Sequence, residues 1–227
     1  MVSSHPWPSL LPSKVRPVFG THDLWVFVVA GLLLNFTPGP DTLYIVGRSS
    51  AQGLRAGAVA ALGIGAGTLV HITAAALGLS AILAASATAF TIVKIAGAAY
   101  LVYIGIALIR SAQTAPANAV AIAPAALRKV FVQGFLTNVL NPKVALFFLA
   151  FLPQFVAPDA PSKPLAFLFL GVIFNLNGTL WNLLVAWSAA RISGGLRRSA
   201  VFTKWFNRCV GGIFVLLGVR LALAKES

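Results

Sequence analysis

The chain has 227 residues, of which 59% are hydrophobic and only 9% charged, and its mean hydropathy is +0.90. This composition excludes an ordinary soluble domain, in which about a quarter of the residues are charged. The net charge of +13 does not indicate nucleic-acid binding, because the basic residues are scattered at the ends of apolar runs, where anionic lipid headgroups attract them. We therefore predict an integral membrane protein with about six helical spans of roughly twenty residues.

The distribution of proline and small polar residues divides the chain. Residues 1–22 are rich in proline, lack the apolar run of a secretory signal and are predicted to form a disordered tail. Residues 23–227 form a single membrane domain. An uncharged segment rich in alanine and proline, 111–126, separates two halves at about 23–110 and 127–225.

Apolar runs predict three transmembrane helices in each half. The predicted spans are 24–47, 57–83, 90–109, 131–155, 165–190 and 205–223. Basic residues concentrate in the odd-numbered loops, so these loops are expected to face the cytoplasm and both termini the periplasm. Each half then enters the membrane from the opposite side, as in an inverted repeat.

Polar residues and proline interrupt the first and the fourth predicted spans. The first break runs from Asn35 to Asp41 (Asn-Phe-Thr-Pro-Gly-Pro-Asp), and the second from Asn138 to Lys143 (Asn-Val-Leu-Asn-Pro-Lys). A proline removes a donor and frees backbone groups of the preceding turn, and in lipid such groups must be satisfied by protein or by a water-filled cavity. We therefore predict an all-α membrane fold of six transmembrane helices, arranged as two inverted three-helix repeats with broken helices 1 and 4.

The two breaks are predicted to meet near the membrane midplane. A helical rise of about 1.5 Å per residue places Pro38 and Pro142 each about 15 Å from the cytoplasmic edge of a core about 30 Å thick. The candidate substrate-binding residues all lie in these breaks. They are Asn35, Thr37, Pro38, Gly39, Pro40, Asp41, Asn138, Asn141, Pro142 and Lys143. Their neutral donors and acceptors, with the helix N-terminus after Pro40, suit a substrate that carries both an ammonium and a carboxylate.

Asp41 is the acidic residue placed well inside an apolar span, where an ionisable group is costly unless paired or hydrated. It can bind a substrate amine or a coupling proton; alternatively, it neutralises a structural lysine or caps the following helix. Lys143 is its counterpart in the second half and can balance Asp41 or hold a substrate carboxylate.

His71, midway along the second span, is a second candidate for proton coupling because the pKa of free histidine lies near physiological pH. The alternative is a neutral, hydrogen-bonded packing residue. The fifth span contains Asn175, Asn177 and Asn182, which either line the transport path or form interhelical hydrogen bonds.

Four glycines in the second span predict close helix packing and leave a homodimer possible, because small residues let helices approach each other. They are Gly63, Gly65, Gly67 and Gly78.

Other chemistries find no support in the sequence. Cys209 is the single cysteine, so a dithiol relay or thiolate cluster cannot form within the chain. The three histidines lack metal-site spacing, and there is no glycine-rich phosphate loop ending in Lys-Ser/Thr. We predict no metal, no cofactor, no catalytic residue and no enzymatic activity.

Four motifs, in order, resemble the LysE/RhtB family of amino-acid exporters. They are the run 35–47 with its Pro-Gly-Pro-Asp core, the stretch 48–71, residues 94–101 ahead of Gly105, and residues 134–143. The resemblance extends from Leu24 to the C-terminus. It implies a six-span protein of the bacterial inner membrane that expels amino acids or close derivatives, driven by the proton gradient.

We therefore expect a secondary active exporter that works by alternating access, with protons as the coupling ion carried by Asp41 and His71. The alternative is a passive channel or facilitator for small zwitterionic metabolites.

Overall fold

The computed structural model describes residues 18–81, 87–111, 123–157 and 159–191, with scattered residues between 208 and 223. Within this part of the chain the regular secondary structure is helical, apart from an isolated bridge between Thr21 and Val156. The predicted all-α class is confirmed for these residues. Most of the predicted tail, most of the linker between the halves and most of the sixth predicted span lie outside the described residues.

The first half contains three long helices. They are α1, Leu24–Phe36; α2, Pro40–Ala74, which continues into a π-helical turn at Ala75–Leu79; and α3, Ala87–Ser111. A 3-10 turn at Val18–Gly20 precedes α1. Helix α2 is interrupted at Gly53, whose φ of 79° lies in the left-handed region that favours glycine. Gly53 falls between the first and second predicted spans, so α2 contains the end of one and most of the other.

The second half begins with a pair of helices separated by the second break. Its elements are α4, Leu127–Val139; α5, Pro142–Phe151, followed by a 3-10 turn at Leu152–Phe155; and α6, Lys163–Arg191. The chain bends by 47° between α4 and the segment that starts at Pro142. Proline occupies the first position of both α2 and α5, where its missing N–H costs no helical hydrogen bond.

Two of the described helices are long and apolar enough to cross a membrane, namely α2 with its π-helical turn and α6. The bent pair Leu127–Val139 and Pro142–Phe155 makes a third span if it is counted as one, and α1 is a shorter apolar helix. The helices fit the six spans predicted from the sequence.

Glycines on α2 allow it to approach α4 and α6 closely. A Cβ added to Gly63 or Gly67 would come within 2.3 and 2.7 Å of the carbonyl oxygens of Phe131 and Phe135 on α4. A Cβ on Gly65 would lie 2.8 Å from Thr179 Oγ1 on α6. The prediction of close packing is confirmed at these three glycines. It is wrong at Gly78, where a Cβ would meet no atom of the described residues within 4 Å, because this residue is exposed.

Three side chains on α2, spaced four residues apart, tie it to α4 and to the residues before α4. The Tyr44 hydroxyl lies 3.3 Å from Gln133 Oε1, and Arg48 Nη2 donates to the same oxygen at 2.7 Å. Gln52 Nε2 donates to the Ala125 carbonyl at 2.8 Å. The segment of α2 that follows the first break is therefore anchored to the second half of the molecule.

A cluster of aromatic rings packs α1, α5 and α6 together on the opposite side. The fully buried members include Phe27, Phe147, Phe148, Phe151, Phe155 and Phe167. The rings of Phe147 and Phe174 stack with 5.2 Å between their centroids. This core holds the end of α1 beside the start of α5, which brings the two breaks together.

Candidate functional site

The first contact between the breaks is made by Asp41, in the first turn of α2. Its Oδ2 atom accepts hydrogen bonds from Nδ2 of Asn138 at 2.9 Å and from Nδ2 of Asn141 at 3.0 Å. Asn138 lies at the end of α4 and Asn141 directly before α5. One carboxylate therefore joins the two halves of the molecule across both breaks.

The second contact runs in the opposite direction, from Lys143 to the end of α1. Its Nζ donates to the backbone carbonyls of Leu34 at 3.0 Å and Thr37 at 2.9 Å. Carbonyls at the end of a helix lack their usual intrahelical partners. The Leu34 carbonyl also accepts from the Thr37 backbone N–H at 3.2 Å, so the ammonium gives that carbonyl a second donor and satisfies the Thr37 carbonyl. A Cβ on Gly39 would lie 3.3 Å from Nζ, so a side chain at this position would crowd the ammonium.

Asn141 and Thr37 stabilise the ends of the broken helices. Asn141 Oδ1 accepts from the backbone N–H of Lys143 at 3.0 Å and caps α5. The Thr37 hydroxyl donates to the Leu33 carbonyl at 2.8 Å. Both side chains are buried, at 2% exposure each.

His71 and Thr68 of α2 contact the same asparagine that binds Asp41. His71 Nε2 lies 2.9 Å from the Asn138 carbonyl oxygen; because a carbonyl only accepts, Nε2 must carry a hydrogen. Thr68 Oγ1 lies 3.2 Å from Asn138 Oδ1. Asn138, 1% exposed, thus connects His71 to Asp41 through its backbone and its side chain.

A polar cavity of about 30 Å³ borders these groups, a volume that holds a small number of waters. Its polar lining comes from Asn35, Asp41, Thr42, Thr68, Asn138, Lys143, Asn175, Thr179 and Asn182. Its other lining residues are Leu34, Ile64, Gly65, Val144, Phe174 and Gly178.

Two buried polar atoms of cavity-lining residues have no hydrogen-bond partner among the described residues. They are Nδ2 of Asn35, a donor, and Oδ1 of Asp41, an acceptor. A buried polar group left unpaired costs about 1–3 kcal/mol, and more when charged. The cavity therefore presents one unused donor and one unused acceptor to whatever occupies it.

The ten candidate substrate-binding residues fall into three groups. Asn35, Asp41, Asn138 and Lys143 line the cavity. Thr37, Gly39 and Asn141 do not line it, but they contact Lys143 or Asp41 as described above. The three prolines, Pro38, Pro40 and Pro142, are exposed on the surface of the structure, so they shape the breaks without bordering the cavity. His71 does not line the cavity either.

One face of α6 supplies lining residues that the sequence analysis identified only in part. Asn175 and Asn182 line the cavity, whereas Asn177 does not, and Thr179 joins them. The signal was present in the sequence, because positions 175, 179 and 182 follow the four- and three-residue spacing of a single helix face. Thr42 and Thr68 were also missed.

Comparison with known proteins identifies the family of the chain. The LysE type translocator family matches residues 32–225 of the chain. The chain belongs to this family. As a LysE type translocator it is a multi-pass inner-membrane transport protein, which confirms the resemblance found in its motifs.

The translocator is similar to three curated proteins over nearly its whole length. It is 33% identical to an uncharacterized membrane protein of Pseudomonas aeruginosa, over 93% of this chain and 100% of that protein. It is 27% identical to a leucine efflux protein of Enterobacter sp. (strain 638), over 90% and 97% of the two chains. It is 25% identical to a leucine efflux protein of Salmonella typhimurium, over 92% and 98%. No solved structure matches the chain significantly.

Proposed function

We propose that this translocator exports amino acids or close derivatives across the bacterial inner membrane, and that the cavity between the breaks is its substrate site. The observation that carries the proposal is the presence of Asp41 and Lys143, two residues of opposite charge, on the wall of one cavity inside the helical domain. Ionisable residues within membrane helices are costly and by default mark a transport function. Two relatives named leucine efflux proteins support export of an amino acid.

The charges of the cavity suit a zwitterion. The carboxylate of Asp41 and the ammonium of Lys143 cancel, so a ligand of net charge zero leaves the cavity neutral. Neutral amides and hydroxyls provide the rest of the polar lining, and they can hydrogen-bond either end of an amino acid.

We propose further that the two halves are inverted repeats. The support is local: in each half the break begins at an asparagine, a proline starts the next helix, and a charged residue follows that proline directly. This charged residue is Asp41 in the first half and Lys143 in the second. From the basic residues in the loops we propose that both termini lie in the periplasm and the Gly53 turn in the cytoplasm.

Alternating access is the transport mechanism that we propose, because the cavity is small compared with an amino acid and its walls must separate to admit one. Among the contacts that join the halves are the hydrogen bonds of Asp41 and Lys143, two groups that a substrate can also contact. Protons are the proposed coupling ion, carried by Asp41 and His71, which both contact Asn138. Moving one charge across the membrane provides about 2.3 kcal/mol per 100 mV. We also propose a homodimer, for which Gly78 leaves room, since it is exposed and without neighbours within 4 Å in the described part of the chain.

The test is transport by the purified protein in liposomes, with labelled neutral, basic and acidic amino acids and homoserine derivatives. We expect saturable counterflow of at least one amino acid and its accumulation against a gradient when a pH gradient is imposed. Equilibration without saturation or counterflow would indicate a passive channel, and no movement of any member of the panel would overturn the proposal.

A further inference from the structure

We propose that the cavity binds an amino acid in one orientation, with the ammonium group on Oδ1 of Asp41 and the carboxylate on Nδ2 of Asn35 and Nζ of Lys143. This inference rests on the proposed function and goes beyond it, because it assigns each end of the substrate to a named atom.

The acceptor for the ammonium is determined by what Asp41 already binds. Its Oδ2 accepts from two asparagine amides, which hold the carboxylate in place from the side of α4 and α5. Its Oδ1 is buried without a partner among the described residues. An ionised carboxylate gains most from a cationic donor, and the ammonium of an amino acid in the adjacent cavity supplies one.

The donor for the carboxylate is Asn35, on the other broken helix. Its Nδ2 atom is buried and, within the described part of the chain, unpaired. Gly178 of α6 holds this amide closely, since a Cβ added there would lie 3.2 Å from both Nδ2 and Oδ1 of Asn35. The amide is thus confined next to the cavity with an unused N–H, and a carboxylate oxygen satisfies it.

Lys143 provides a second donor beside Asn35. Its ammonium has three N–H groups, of which two bind the carbonyls of Leu34 and Thr37. Leu34 directly precedes Asn35, so the ammonium and the Asn35 backbone are neighbours. The third N–H can reach a carboxylate that Asn35 also binds, while the other two keep the first break closed.

The reverse orientation is electrostatically unfavourable. It would place the substrate carboxylate against Asp41 and the substrate ammonium against Lys143, so that both contacts would be repulsive, with little water between them to weaken the repulsion. The apolar lining residues Leu34, Ile64, Val144 and Phe174 are available to contact the substrate side chain.

Two isosteric substitutions and two truncated ligands test this assignment. The probes are L-leucine, isopentylamine, which lacks the carboxylate, and 4-methylpentanoate, which lacks the ammonium; binding to the purified full-length protein is measured by calorimetric titration. The variants are Asn35→Asp and Asp41→Asn. The matched control is Asn177→Asp, on α6 but outside the cavity lining, for which we expect wild-type binding of all three probes.

We expect Asn35→Asp to weaken the binding of leucine and 4-methylpentanoate about tenfold or more, because a hydrogen bond to the ligand carboxylate is replaced by repulsion. The same variant should bind isopentylamine as tightly as the wild-type protein or more tightly. Asp41→Asn should weaken leucine and isopentylamine and spare 4-methylpentanoate. Equal weakening of all three probes, the reverse pattern, or no leucine binding by the wild-type protein would overturn the inference. Transport by the wild-type protein without this pattern would refute only the orientation, whereas the pattern without transport of any amino acid would refute only the proposed function.

Discussion

At the scale of single residues, the centre of the site is one carboxylate with two different oxygen atoms. Oδ2 of Asp41 is bound by two amides from the other half of the molecule, and Oδ1 is buried beside the cavity. The two amide hydrogen bonds on Oδ2 fix the position of the carboxylate and offset part of the cost of burying an ionisable side chain inside an apolar helix. Oδ1 contributes no such compensation among the described residues, and it is the atom to which we assign a ligand or a proton in the proposed function.

We predict that Asp41→Asn abolishes proton-driven export while leaving the fold intact. Asparagine has the shape of aspartate, but it cannot carry the charge that pairs with a substrate ammonium or a coupling proton. The measurement is efflux driven by a pH gradient in proteoliposomes, with thermal unfolding in detergent as the test of folding. Proton-driven export at the wild-type rate would exclude the proposed role of Asp41.

Lys143 has a structural contribution that is separable from binding. We predict that Lys143→Met lowers the thermal unfolding temperature, because it removes the described donor of the Thr37 carbonyl, at about 1–3 kcal/mol, and one of the two donors of the Leu34 carbonyl. Lys129→Met, at an exposed position near the start of α4, is the control and should unfold like the wild-type protein. Equal unfolding temperatures for the two variants would show that the Lys143 contacts do not stabilise the fold.

At the scale of helices, the site depends on how closely α2 approaches its neighbours. Gly67 lies against both the backbone and the key asparagine of α4, since a Cβ there would come within 2.7 Å of Phe135 O and 2.8 Å of Asn138 Cβ. The same helix presents Gly65 to α6. The glycines therefore determine where Asn138, Thr68 and the α6 face are placed relative to Asp41.

We predict that Gly67→Ala reduces export about tenfold or more and lowers stability, because overpacking a tight contact costs about 1–3 kcal/mol and displaces Asn138 from Asp41. Gly78→Ala, in the π-helical turn that continues α2, is the matched control, because a Cβ there meets no atom of the described residues within 4 Å. Transport and thermal unfolding of both variants provide the measurement. Wild-type activity of Gly67→Ala would mean that α4 can shift without disturbing the site.

At the scale of the whole molecule, the described contacts across the halves combine polar groups around the cavity, the packing of α2 on α4 and α6, and the aromatic cluster of α1, α5 and α6. Asp41, Lys143 and Arg48 each bond from one half to the other. A molecule joined in this way can rearrange by exchanging hydrogen bonds between its halves, as the proposed alternating access requires.

The orientation in the membrane gives a prediction at this scale. In a Cys209→Ser background, which removes the single cysteine, we expect Ala51→Cys beside the Gly53 turn to react with an impermeant maleimide only in inverted vesicles. Asp159→Cys, between α5 and α6, should react only in intact cells. The opposite pattern of labelling would place the termini in the cytoplasm.

Much of this protein could be predicted from local patterns in the chain. The composition predicted a membrane protein, because a chain with 59% hydrophobic and 9% charged residues has too few polar side chains to cover a water-exposed surface. The two proline breaks and the order of motifs around them identified the family, and four of the residues chosen from those breaks line the cavity. These features depend only on residues that are close in the sequence, so they can be recognised without the tertiary structure.

The roles of individual side chains depended on contacts between distant segments. The breaks indicated Lys143 as a partner for Asp41 or for a substrate carboxylate. In the structure the Lys143 ammonium instead binds the carbonyls at the end of α1. Within the described part of the chain, no ion pair joins Lys143 to Asp41. The α6 face at 175, 179 and 182 reaches the cavity because Gly65 and Gly178 allow close approach. The positions of the Lys143 side chain and of the α6 face depend on how the packed helices are rotated and how far apart they lie. Contacts between distant segments of the chain determine this geometry, so a local sequence pattern cannot predict it.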